Sequence, residues 1–491
     1  MRRAGSRQLA LTFADSPKGD KDRAARDESW GKRYLLHTVK VNNRKDPAIC
    51  TTAANSERTM ESVASARNLA QALLNVFGNK GAPGVDEQTV EEVVEQAPSL
   101  LPKLQTALLR GTYQPGDIRR VWIEKPGGGQ RGLGIPNVVD RWVQQAVLQV
   151  LEPIFEPTFH PSSHGFRPNR GAHTAIAEAK EHLKEGYRVL VDLDLSKFFD
   201  RVHHQRLLER LRQRVYDSRI LDLVKGMLKA KVVMPDGTKE ITEQGTPQGG
   251  PLSPLLSNIV LDEWDQELGR RGLRFVRYAD DCNIFVRSER AGQRVMESTR
   301  RFLEKKLRLQ INEEKSSVTQ PENVHFLGFR FGIGEDGQVT VRLSAKAKKR
   351  LSTKSRELTP RTWGRSLKAC FDELNQYCRG WMGYFRICTE EGASEFRPFD
   401  AHLRRRLRAI IIHQKKRGRF LYRHLVKQGA TPRQAAQTAY SRRGIWSRSK
   451  SPGMHKAYRN AWFVPHWTTL YDLWWQANPP AQISDQLSLV F

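Results

Sequence analysis

From Val63 onward the apolar residues fall into runs whose period changes along the chain, and each change marks an element. Val63, Ala66, Ala70, Leu73, Leu74 and Phe77 recur at helical spacing and stop at Gly78, which predicts a helix ended there. A turn-rich loop from Asn79 to Asp86 follows, then a second helical stretch to about Arg110. Ile118–Lys125 and Gln130–Ile135 read as strands around the turn Pro126-Gly127-Gly128-Gly129. Asn137 stands where it can cap a helix with Val139, Trp142, Val143, Ala146, Val150 and Leu151 on its core face. In the strand Arg188–Leu195, alternation puts Val191, Leu193 and Leu195 on one face and Asp192 and Asp194 on the other. Two more strand-like runs, Leu273–Arg277 and Cys282–Val286, flank Tyr278-Ala279-Asp280-Asp281. A basic amphipathic helix through Phe302 and Leu307 and a strand pair around His325–Phe331 close this body near residue 340. Beyond it the pattern is helical, with Tyr377, Trp381, Tyr384 and Phe385 at core spacing. Residues 1–58 show no sustained period and read as a flexible, basic leader.

Charge changes the picture more than composition does. The 491 residues carry 82 Lys and Arg against 53 Asp and Glu, a formal net charge of +29, which calls for a polyanionic partner. The excess is uneven: Arg342–Arg423 holds 22 Lys and Arg against 7 Asp and Glu. Arg404, Arg405, Arg406, Arg408, Lys415 and Lys416 lie within it and are assigned to RNA phosphates. Five cysteines, none spaced as C-x2-C, indicate neither a disulfide framework nor a zinc ribbon. No apolar run of membrane-spanning length occurs, so a cytoplasmic protein without a membrane partner is expected.

The chemistry is concentrated in carboxylates. Adjacent Asp280 and Asp281 at a hairpin tip repel each other and are tolerable where divalent cations neutralise them. Asp194 supplies a third carboxylate from a separate strand, as a two-metal phosphoryl-transfer site needs. Asp192 and Asp200 are read as standing behind these three or serving structure. Lys125 and Arg131, near the tip of the first hairpin, suit the phosphates of an incoming nucleotide, although an exposed basic turn has the same composition. Ser163–Arg170 alternates an aromatic with Arg167 and Arg170, and template stacking or backbone contact would suit it. His164, His203 and His204 lack ligand-spaced neighbours and read as packed or solvated. The glycine- and proline-rich loop Gln244–Pro254 opens a helix without the Lys-Ser or Lys-Thr ending of a P-loop.

Taken in order, these segments resemble a bacterial group II intron reverse transcriptase and maturase, from about Val63 to Trp475. The markers are the Lys125 to Arg131 hairpin, Leu133-Gly134-Ile135-Pro136, Gly165-Phe166-Arg167-Pro168, Asp194–Asp200, Gly245–Gly250, Tyr278–Asp281 and Phe326-Leu327-Gly328. The resemblance implies an α+β right-hand polymerase. Fingers and palm with an antiparallel palm sheet would span residues 59–340, and a helical thumb, or maturase domain X, residues 341–491. Asp194, Asp280 and Asp281 would bind two Mg2+ ions, and Lys125 and Arg131 the triphosphate. Gln248 would lie near the sugar or base of the nucleotide, and Phe199 beneath the sugar, excluding a ribose 2′-hydroxyl. Partners would be group II intron RNA, an RNA template with a DNA primer, dNTPs and target DNA. His164 stands where the family usually has Tyr, and His413-Gln414-Lys415-Lys416 where a Trp-containing stretch is commoner. No Cys follows Cys388, so the zinc-bearing endonuclease of many relatives is not expected, and retrohoming would need a primer from elsewhere. A host-adopted reverse transcriptase for defence or repair, and a maturase confined to splicing, are the alternatives.

Overall fold

The structure is a computed structural model describing residues 30–45, 59–124, 128–241, 243–246 and 248–479. It is α+β, with ten strands in three sheets among the helices of the described residues. Two compact units divide between Thr319 and Gln320. That division falls before the 340/341 boundary expected from the sequence. The reason is the hairpin of β9 (Phe329–Ile333) and β10 (Val339–Leu343), whose Phe329 ring packs on Tyr384 and Phe385 of the helix Leu367–Phe385.

Within the unit ending at Thr319, one sheet has the order β2-β1-β4-β5. Its strands are β1 (Ile118–Glu124), β2 (Gln130–Ile135), β4 (Val232–Val233) and β5 (Lys239–Glu240). The other is antiparallel, ordered β6-β7-β3-β8: β6 (Arg274–Tyr278), β7 (Asp281–Val286), β3 (Val189–Asp194) and β8 (Ser317–Thr319). Val189, Val191, Leu193, Cys282, Ile284 and Phe275 on one face of this sheet join the main hydrophobic core. The helices Ser253–Arg270 and Glu289–Phe302 belong to the same core through Leu255, Ile259, Trp264, Val295 and Met296. Burying that face fixes the register, because a one-residue slip would turn every carboxylate of β3 inward.

The leader reading needs correction over Trp30–Lys45, which is a helix. Gly31, Tyr34, Leu35, Thr38 and Val39 form its inner stripe at i, i+3, i+4, i+7 and i+8, with Leu35 fully buried. At Gly31 the stripe meets the helix Val90–Leu109 so closely that a Cβ would lie 1.8 Å from the Val94 carbonyl oxygen. The remainder of the leader lies outside the described residues. No helix among those described is long and apolar enough to cross a membrane.

The unit from Gln320 onward is helical apart from its hairpin. Its interior is lined by Leu351, Leu374, Phe396, Leu407, Ile410 and Trp467. The aromatic stripe of Leu367–Phe385 packs as expected: Trp381 stacks on Phe385 with centroids 4.2 Å apart, and the Tyr384 hydroxyl donates to the Leu327 carbonyl at 2.8 Å.

Candidate active site

Strand pairing brings the acidic residues together. Asp194 ends β3 directly opposite Asp281 at the start of β7, so their Cα atoms are roughly 5 Å apart in an antiparallel ladder. Tyr278 pairs with Asp281, which leaves a two-residue loop of Ala279 and Asp280, Ala279 having φ +59°. Asp192 pairs with Asn283 on the same face. Burial raises the Asp281 carboxyl well above its ordinary value, and Asp192, Asp280 and Asp194 raise it further against Lys315. Asp280 is raised too, first by burial and then by Asp194, with Arg131 and Lys315 opposing. The group is therefore short of positive charge.

Three residues passed over in the sequence complete this cluster. Asn312 Nδ2 and Lys315 Nζ donate to Asp194 Oδ2 at 3.1 and 3.0 Å, and Ser316 Oγ receives the Asp194 N–H at 3.0 Å. Among the described residues no three His, Cys, Asp or Glu side chains form a ready-made cation cage. A crowded set of half-buried hard oxygen donors still suits Mg2+, which takes one or two carboxylates and draws its other ligands from water and phosphates.

Of the predicted nucleotide residues, Arg131 acts on this cluster, lowering the Asp280 carboxyl against its burial. Arg131 Nε donates to Gln248 Oε1 at 2.7 Å, and the Gly134 N–H donates to the Gln248 carbonyl at 2.9 Å. Gly249 makes that approach feasible: at φ +144° it lies where a Cβ would be 2.3 Å from the Gly134 oxygen. Phe199 is held by its carbonyl, which accepts from the Thr246 N–H at 2.6 Å, and by edge-on packing against Phe198. A cavity of about 240 Å³ is bounded by Phe199, Asp200, Thr246, Gln248 and Arg120. Lys125 lies outside the described residues.

The loop Ser163–Arg170 backs the acidic hairpin. Arg277 N–H donates to the Ser162 carbonyl and His164 N–H to the Arg277 carbonyl, both at 2.9 Å, so the loop runs beside β6 as an extra edge. Gly165 rests on the Ala279 turn, where a Cβ would lie 2.4 Å from the Ala279 nitrogen. His164 is buried, with Thr174 Oγ1 at 2.8 Å and Glu178 Oε2 at 2.7 Å, a packed histidine as expected. His204 is likewise buried, 2.7 Å from the Gly245 carbonyl.

Burial would raise Glu178, but the hydrogen bond with His164, His182 Nε2 at 3.5 Å and Ser162 outweigh it and hold the carboxyl at about 2. Its folded value lies below the usual 4.5, so the stability it adds is complete above 4.5 and is lost as pH falls towards 2. Glu178→Gln should therefore cost about 3 kcal/mol at pH 7 and much less near pH 2.5, compared by urea denaturation at the two values. An equal loss at both would exclude the carboxylate as the source.

The RNA assignments need correction at three positions. Arg167 is buried, with Nε donating to both Glu156 oxygens at 3.0 Å and Nη1 to the His160 and Ser163 carbonyls. Arg406 and Arg408 are buried in the helix Phe396–Gln414, where they donate to Thr359 and to the Tyr458 carbonyl. Each guanidinium is occupied by the protein's own oxygens. Arg170 donates to the Pro161 carbonyl while remaining at the surface, and Arg405 lies 3.7 Å from the Trp446 ring centroid. Arg404 and Lys415 are half-buried and Lys416 is exposed. Lys346, Lys349, Arg350 and Lys354, exposed on the helix Ala345–Leu358, form a basic row the sequence reading passed over.

Residues 123–331 match the reverse transcriptase (RNA-dependent DNA polymerase) family, and residues 348–429 match the group II intron maturase-specific domain. Protein YkfC of Escherichia coli (strain K12) is 35% identical over 315 residues, covering 56% of this chain and 82% of that protein. Group II intron-encoded protein LtrA of Lactococcus lactis subsp. cremoris is 31% identical over 352 residues, 58% of each chain, so the match spans little more than half of LtrA. The putative COX1/OXI3 intron 2 protein of Saccharomyces cerevisiae is 30% identical over 289 residues, 47% of this chain and 34% of that protein. Among solved structures, a chain of a partial Cas6-RT-Cas1–Cas2 complex shares 22% identity over half of this chain and 42% of its own. Its TM-score of 0.33 is too low to bear on the fold.

Proposed function

Because this chain belongs to the reverse transcriptases that carry a group II intron maturase-specific domain, we propose that it copies RNA into DNA at the Asp194, Asp280 and Asp281 cluster and binds its intron RNA through its basic C-terminal half. The observation that carries this reading is the pairing of Asp194 with Asp281, which joins carboxylates from two distant segments on one face of the sheet. In this reading the sheet β6-β7-β3-β8 is the palm, the β1–β2 hairpin belongs to the fingers, and the helices beyond residue 340 form the thumb or domain X. When bound, two Mg2+ ions would activate the primer hydroxyl and neutralise the triphosphate. Asp194, Asp280 and Asp281 would hold those ions. Arg131, steadied by Gln248, would orient phosphate, and Lys125 would add a second cation from the same hairpin.

Phe199 borders the cavity beside Gln248 and would meet the nucleotide's sugar from below. Phe199→Ala should raise ribonucleotide incorporation relative to deoxyribonucleotide by about 10- to 100-fold, the usual worth of one steric contact in discrimination. Competition between rNTP and dNTP in single-nucleotide extension measures it. Unaltered sugar preference would remove Phe199 from this role.

The maturase role rests on charge. Lys346, Lys349, Arg350, Lys354, Arg404, Lys415 and Lys416 would grip intron RNA and stabilise its folded form, assisting splicing whose chemistry the RNA itself carries. Retrohoming into target DNA follows if the copied transcript is the intron. Purified protein should extend a DNA primer on an RNA template and accelerate splicing of the transcript flanking its own coding region. Extension without any effect on splicing would favour a host-adopted enzyme, and splicing without extension a maturase alone.

A further inference from the structure

Arg277 stands one residue before Tyr278, so strand alternation sends its side chain to the face opposite Tyr278 and Asp281. It is fully buried, and so are Asp265 and Ser163, with Asn258 nearly so. All five guanidinium donors have partners. Nε and Nη2 grip Asp265 in a fork at 2.7 and 2.5 Å, Nη2 also donates to Ser163 Oγ at 2.7 Å, and Nη1 donates to Asn258 Oδ1 at 3.1 Å. The fifth bond runs from Nη1 to the carbonyl of Ala279 at 2.8 Å. Asn258 extends the frame by donating to the Gly165 carbonyl at 2.9 Å, and Gly165 abuts the same turn.

A buried ion pair of this kind contributes little net stability, since well-packed apolar side chains usually replace it without loss. Its geometry is harder to replace. Only a planar fork with five fixed donors can hold one carboxylate, two side-chain oxygens and a backbone carbonyl at once. The carbonyl it holds belongs to Ala279, whose left-handed conformation at φ +59° leads straight into Asp280 and Asp281. Burial disfavours the guanidinium's charge, while Asp265 beside it more than restores it.

We propose that Arg277 is a positioning residue of the polymerase: from behind the sheet it fixes the Ala279 turn, and thereby sets how Asp280 and Asp281 present their carboxylates to the divalent cations. The proposal rests on the reading that those two residues bind metal. It makes helix Ser253–Arg270, through Asn258 and Asp265, the platform on which the acidic tip is levelled.

The test compares Arg277→Lys, which keeps the charge beside Asp265 but loses the fork, with the double variant Arg277→Met/Asp265→Leu, which replaces the buried pair by apolar side chains. Both are followed by thermal unfolding, by Mn2+ binding to the enzyme–primer–template complex read by electron paramagnetic resonance, and by kcat and dNTP KM. A folded variant is expected to bind Mn2+ about 10-fold more weakly and to lose about 10²-fold in kcat, with KM within about twofold, because the reacting groups are misplaced while nucleotide contacts remain. Wild-type Mn2+ affinity and kcat in either variant that folds would overturn the proposal. Asp280→Asn is the control: if it alone retains Mn2+ binding and activity, the metal reading fails, whatever Arg277 does.

Discussion

Asp280→Asn should reduce single-turnover dNTP incorporation by at least about 10³-fold while leaving the protein folded, because it removes a charge made for the transition state and conserves shape. The electrostatics decide the second half of that expectation. Asp280 is raised by burial and by Asp194, so neutralising it relieves repulsion in the free protein and thermal stability should hold or rise. Binding of intron RNA should stay within about twofold, since the basic residues assigned to it lie elsewhere in the sequence. Rapid-quench extension, thermal unfolding and filter binding on one preparation measure the three effects. Extension at the wild-type rate would show that the acidic hairpin is not the metal site, and parallel loss of RNA binding would show that its role has been misjudged.

The second large effect separates structural from RNA-facing cations. Arg406→Ala should cost about 3 kcal/mol, because it leaves the Thr359 hydroxyl and carbonyl without their charged donor and opens a gap beside Leu403 and Leu407. For a unit of this size that corresponds to a fall in Tm of roughly 6–12 °C. Replacing Arg404, Lys415 and Lys416 by Gln should instead spare Tm, weaken RNA binding and lower the slope of log K against log salt by about 1 per lost phosphate contact. If Arg406→Ala unfolds at the wild-type temperature yet loses RNA affinity, the guanidinium serves RNA rather than the protein interior.

The acidic hairpin was legible because its signal is local: two strand-like runs flank a repelling pair, and β6 and β7 lie where that pattern puts them. Asp194 was legible for the same reason, through alternation in a single strand. Asn312 and Lys315 were not, since they reach Asp194 across 118 and 121 residues and nothing in their own neighbourhood announces the meeting. Arg406 failed differently. Charge density counts cations without saying which way each one faces, yet Leu403, Arg406, Leu407 and Ile410 recur at i, i+3, i+4 and i+7, so helical periodicity had marked Arg406 as inward. At Gly31, Tyr34 and Thr38 the inward stripe is built of small and polar residues, which is why composition masked the helix Trp30–Lys45.

Asn137 shows how a correct position can carry a different job. It does precede the helix Val138–Phe155, but its side chain makes no capping bond there and instead accepts the Val85 N–H at 2.9 Å, tying down the loop after Gly78. Local propensity chose the residue type, and a contact 52 residues away chose its partner.

The β9–β10 hairpin has a practical bearing on how the polypeptide can be dissected. Thr389 N–H donates to the Val341 carbonyl, and Gly392 lies so near that a Cβ would be 2.1 Å from the same oxygen, so the hairpin is knitted to the helices after it along its backbone. A truncation designed at residue 340 would cut β10 itself, leaving Val339 and Thr340 with β9 and Val341–Leu343 on the other fragment, and so expose Phe329, Phe331 and Val341 together. A scissor point before Gln320 keeps that ribbon whole, and it is where a separately produced maturase half ought to begin.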